Sequence, residues 1–99
     1  MDTVINARCD LLLNLINERD IYMLCGVDPI TQITDVANMM TQDLQHHTSN
    51  KFRDIRLLAY LIKRRSALHD WDGLGWCVDQ IMKTLQSNCV CHTTYRKRP

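Results

Sequence analysis

Asp28-Pro29-Ile30-Thr31-Gln32-Ile33-Thr34-Asp35-Val36-Ala37-Asn38-Met39-Met40-Thr41-Gln42-Asp43-Leu44 reads as a complete helix with its own start signal. A carboxylate at position 28 can accept the amide hydrogen bonds that a helix start leaves open. Pro29 fits the first helical position, where no backbone donor is needed. Ile30, Ile33, Ala37, Met40 and Leu44 then follow at spacings of 3, 4, 3 and 4. That spacing gathers them on one helical face, which must be buried against other helices.

The flanking sequence supplies those helices. Gln45 to Asn50 has no apolar residue and reads as a loop. Ser49 or Asn50 caps a fourth helix over about Lys51 to Arg65. Phe52, Ile55, Leu58, Ala59 and Ile62 form one face, and Leu57, Tyr60 and Leu61 a second, so this helix is expected to be the most buried. Ser66 to Gly75 reads as a turn, and Leu74, Cys77, Val78, Ile81 and Leu85 mark a fifth helix ending near Ser87. Upstream, Asp2 or Thr3 caps a first helix to about Ile16, with Ile5, Cys9, Leu12 and Ile16 on one face. A short second helix fits Glu18 to Cys25, with Gly26 suited to its stop. The expected fold class is all-α, a compact bundle of five to six helices. Residues 1–87 form the helical interaction domain and residues 88–99 a flexible Cys/basic tail without periodicity.

Ninety-nine residues with 45% apolar and 23% charged content suit one globular domain. No segment approaches the roughly 18 apolar residues that a membrane span needs. Residues 1–16 lack the features of a signal peptide, so the expected location is the cytoplasm, with the nucleus as the alternative. Five cysteines, an odd number, are expected as free thiols, and Cys9, Cys25 and Cys77 fit buried positions.

The net charge of +1 conceals a division. Residues 1–50 carry Arg8 and Arg19 against Asp2, Asp10, Glu18, Asp20, Asp28, Asp35 and Asp43, a net of −5. Residues 51–99 carry Lys51, Arg53, Arg56, Lys63, Arg64, Arg65, Lys83, Arg96, Lys97 and Arg98 against Asp54, Asp70, Asp72 and Asp79, a net of +6. Complementary surfaces of this kind favour self-association or a partner of matching charge.

Catalytic signatures are missing: no Gly-rich phosphate cradle, HExxH or GxSxG occurs. No enzyme activity, cofactor or small-molecule substrate is expected. Cys89, Cys91 and His92 are the one cluster of metal-ligand types, and a fourth ligand would have to come from His46, His47, His69 or another molecule. No metal is expected there. The basic fourth helix with Arg96-Lys97-Arg98 makes nucleic-acid binding the alternative function, although the pI is near 7.7 rather than above about 9. Trp76 is expected in the core; Trp71 stands open as an anchor.

Three stretches resemble the death-fold superfamily, which includes death-effector and caspase-recruitment domains. Arg19-Asp20-Ile21-Tyr22-Met23-Leu24-Cys25 resembles the short second helix of death-effector domains. Asp54 to Arg65, followed by Ala67-Leu68, resembles their fourth helix, and Leu74-Gly75-Trp76-Cys77-Val78-Asp79-Gln80-Ile81 their fifth. The resemblance implies a six-helix adaptor without catalysis that assembles homotypically. On that reading Glu18, Asp20, Asp28 and Asp35 of one subunit meet Lys51, Arg53, Lys63, Arg64 and Arg65 of the next. Tyr22, Met23 and Trp71 are the expected apolar anchors.

Overall fold

The protein's structure, a computed structural model, describes residues 1–87. It holds five helices: α1 (Asp2–Asn17), α2 (Arg19–Leu24), α3 (Ile30–Asp43), α4 (Asn50–Ala67) and α5 (Trp71–Gln86). No strand occurs among the described residues. The tail 88–99, with any sixth helix and the Cys89, Cys91 and His92 positions, lies outside them.

α1, α3, α4 and α5 form a four-membered ring in which each packs on the next and α5 closes on α1. Side-chain contacts fix the directions. Thr34 of α3 meets Ser66 near the end of α4, and Arg56 of α4 reaches the Leu44 and Gln45 carbonyls beyond α3. These two helices are therefore antiparallel. Lys51 at the start of α4 pairs with Asp2 at the start of α1, so those two run the same way. The result is an up-down-up-down bundle, the outcome expected when short loops join amphipathic helices. α2 spans the corner between α1 and α3, packs its backbone on α1, and reaches α5 through the Arg19 side chain over Trp71.

Each helix turns its periodic stripe inward. Ile5, Cys9, Leu12 and Leu15 of α1 pack with Ile33, Ala37 and Met40 of α3, Ile55, Ala59 and Ile62 of α4, and Leu74, Val78 and Ile81 of α5. Ser66 is the one buried polar side chain among the described residues.

The helix ends follow local chemistry, with two departures from expectation. Asp28 Oδ1 accepts the Ile30 amide at 3.0 Å, and Ser49 Oγ accepts that of Phe52 at 3.3 Å. Gly26 takes φ +79° so that the Val27 amide can return to the Tyr22 carbonyl and end α2. The first departure is at α1, where Met1 precedes the helix without a side-chain cap; Asp2 and Thr3, the expected caps, lie inside the first turn, and Asp2 pairs with Lys51. The second is at α5, which begins at Trp71, three residues before its apolar stripe opens at Leu74 and inside the expected turn. Asp70 Oδ1 accepts the Gly73 amide at 3.0 Å, and a Cβ on residue 73 would run into that carboxylate. The glycines that looked like turn residues sit inside the helix.

α4 is not the most buried helix. Its inner positions are Ile55, Ala59, Ile62 and Ser66, while Leu57, Tyr60 and Leu61 are exposed. A bundle of two layers covers only one side of each helix, so a second apolar face has nothing to pack on.

Candidate functional site

α2 is six residues long and buries none of them. With less than two turns it cannot gather its apolar residues on one side. Leu24 is 87% exposed and Ile21 58%, with Met23 and Val27 also open to solvent. Glu18, Asp20 and Asp28 are exposed along the same segment. The Asp28 carboxyl titrates below its ordinary range, first because it accepts the Ile30 amide and then because His69 Nε2 lies 3.3 Å away. Ile21, Met23, Leu24 and Val27 thus expose apolar surface on one short segment with carboxylates at both of its ends.

α4 carries the opposite pattern. Its outward stripe runs through Arg53, Leu57, Leu61, Arg64 and Leu68, at i, i+4, i+8, i+11 and i+15, with Tyr60 beside it. Leu68 is 69% exposed and Leu57 56%. Lys63 Nζ stands 5.3 Å from the Tyr60 ring centroid. Next to this stripe an open groove of about 520 Å³ runs between α3 and α4, lined by Thr41, Gln42, Gln45, Arg56, Leu57 and Tyr60. The Arg56 guanidinium in it is engaged on two backbone carbonyls.

The twelve charged and apolar positions singled out in the sequence fall unevenly on these surfaces. Glu18, Asp20, Asp28 and Asp35 are all exposed. Among the basic set, Arg53 and Arg64 face outward, Arg65 is held 3.5 Å from Asp70 and Lys51 3.0 Å from Asp2. The antiparallel pairing of α3 and α4 brings Lys63, Arg64 and Arg65 to the same end of the bundle as Asp28, while Lys51 and Arg53 lie at the other. Basic charge thus gathers on α4, diagonal to α1 in the ring, whereas α5, from the same half of the sequence, carries Asp72 and Asp79 against Lys83.

Of the expected anchors, Met23 is exposed. Tyr22 packs partly against the core and its hydroxyl lies 3.1 Å from Asn14 Oδ1. Trp71 also packs against the core, with the Arg19 guanidinium 5.2 Å from its ring centroid and His69 against its edge. Trp76 departs from expectation. Trp76, assigned to the core, is 56% exposed, because the true core stripe of α5 runs through Leu74, Val78 and Ile81 and leaves position 76 on the far side.

Cys9 and Cys77 are buried as expected, whereas Cys25 is exposed at the end of α2, where no helix covers it. Burial pushes the Cys9 thiol up to about 11, with nearby Asp10 adding to the effect, and raises Cys77 as well. Both are protonated and unreactive at neutral pH. Among the described residues no group of three or more His, Cys, Asp or Glu could hold a metal ion, and no helix is long and apolar enough to cross a membrane.

Leu24, Ile21, Val27, Leu57 and Leu61 were not singled out as surface anchors from the sequence. A signal was present: both segments carry more apolar residues than one helical face can hold. Comparison with protein-family models, curated proteins and solved structures gives no significant match to this chain.

Proposed function

We propose that the chain is a non-enzymatic protein–protein interaction module, an adaptor of death-fold type that assembles homotypically through complementary charged and apolar surfaces. The observation that carries this reading is the exposure of Leu24 and Ile21 on a helix with no buried residue, bordered by Glu18, Asp20 and Asp28. Its chemical complement stands on α4, where Leu57, Leu61 and Leu68 alternate with Arg53 and Arg64. Apolar contact would supply the affinity and the charges the orientation and the rate of encounter. Because donor and acceptor surfaces differ, such contacts are heterologous and build a ring or a filament.

Charge reversal with rescue tests the proposal. The E18K/D20K pair and the R53E/R64E pair should each reduce self-association, and an equimolar mixture of the two should restore it in part. L24S should weaken association alone, with an unchanged far-ultraviolet spectrum. Arg65 is left out because its loss would disturb Asp70. Sedimentation velocity over a range of salt gives the mass; a monomer at every concentration and salt defeats the homotypic reading. If R53E/R64E instead abolishes a salt-dependent shift of RNA, α4 is a phosphate surface.

A further inference from the structure

α5 carries a second surface that the proposed α2–α4 docking does not use. Asp72, Trp76 and Asp79 stand at i, i+4 and i+7, and Gly75 occupies the position beside Trp76 between the two carboxylates. All three side chains are exposed. This helix is acidic although it belongs to the basic half of the sequence: between Trp71 and Gln86 it carries Asp72 and Asp79 against Lys83, and its cap Asp70 is paired with Arg65.

Two observations set this face apart. The rings of Phe52, Tyr60 and Trp71 each have a cationic side chain 5.2 to 5.3 Å from the centroid, namely Lys51, Lys63 and Arg19. Among the described residues no cation stands over Trp76, although indole is the best π-face for one. Gly75 is the second observation. A glycine inside a helix destabilises it relative to alanine. At Gly73 the nearby Asp70 carboxylate explains the glycine, but a Cβ at Gly75 would meet nothing within 4 Å. Folding does not require a glycine there; a partner's close approach would.

We infer that the Asp72–Gly75–Trp76–Asp79 face of α5 binds a basic peptide segment. An arginine or lysine side chain of that segment lies across Gly75, stacks on the Trp76 indole and is flanked by the Asp72 and Asp79 carboxylates. The Asp79–Lys83 pair, 3.4 Å apart and well exposed, is weak enough to exchange for the incoming cation.

Calorimetric titration of the full chain with a synthetic Arg-Gly repeat octapeptide, at low and moderate salt, tests this. The wild type should bind it with salt-sensitive affinity and should not bind a Glu-Gly octapeptide. W76A and D72N/D79N should each weaken binding about tenfold while unfolding at nearly the wild-type temperature, since these positions are exposed. G75A gives the sharpest reading. It should raise the melting temperature and weaken the peptide, a combination that a purely structural glycine cannot produce. No binding at low salt, equal binding of the Glu-Gly peptide, or wild-type affinity in both W76A and G75A would overturn the assignment. Self-association of R53E/R64E reads the other surface separately.

Discussion

Ser66 Oγ lies 2.9 Å from Thr34 Oγ1 and 2.8 Å from the Lys63 carbonyl oxygen. The serine has one proton, and the carbonyl can only accept, so that proton goes to Lys63 and Thr34 donates to Ser66. This polar link joins α3 to α4 at one end of their seam, as Arg56 on the Leu44 and Gln45 carbonyls does toward the other. Ser66→Ala should cost about 1–2 kcal/mol, because the Thr34 hydroxyl loses its acceptor. Thr34→Val should cost about 1 kcal/mol. The double variant should cost less than the sum of the two in urea unfolding; strict additivity would show that the hydroxyls do not interact.

Arg19 ties the corner after α1 to the start of α5. Its guanidinium donates to the Ile16 carbonyl at 2.8 Å and lies over the Trp71 ring. Arg19→Ala should lower stability by about 1 kcal/mol. In a Trp76→Phe background the emission of Trp71 should shift to longer wavelength as the ring loses its cover. An unmoved spectrum would mean the cation does not sit on the indole.

The buried thiols make a labelling prediction. With Cys89 and Cys91 replaced by serine, a thiol reagent at pH 8 should modify one group quickly, Cys25, and the other two only on unfolding. The linkage has a definite sign. The Cys9 pKa is raised in the folded protein, so its contribution to stability is complete below the unfolded value of about 8.5 and is lost as pH climbs through about 11. Cys9→Ala should flatten that alkaline decline. Rapid modification of three thiols in the native protein would contradict the burial.

The helices were legible in the sequence because their inner stripes repeat at 3.6 residues: Ile33, Ala37 and Met40 on α3, Ile5, Cys9 and Leu12 on α1. The Asp28-Pro29 and Ser49 signals lie where helices begin, since those side chains act on amides two or three residues away. Local chemistry also misled. Gly73 and Gly75 read as turn residues because the Asp70 cap that starts α5 ahead of them shows no periodicity.

Exposure was less legible. Trp76 and Trp71 are both aromatic residues near an apolar run, yet one faces solvent and the other packs against the core beneath Arg19. Leu57 and Leu58, adjacent on α4, differ in the same way, one exposed and one packed against the core.

By itself the sequence determined that the chain is helical, where most helices run and which stripe of each seeks a core, because those properties follow from contacts within a few residues. Tertiary structure alone decided which residues remain outside. It left α2 uncovered, turned the second apolar face of α4 to solvent, paired Lys51 with Asp2, and put Trp76 outside the core. Solvent exposure depends on which helix occupies the neighbouring place in the ring, and that place is set by packing between segments far apart in the chain.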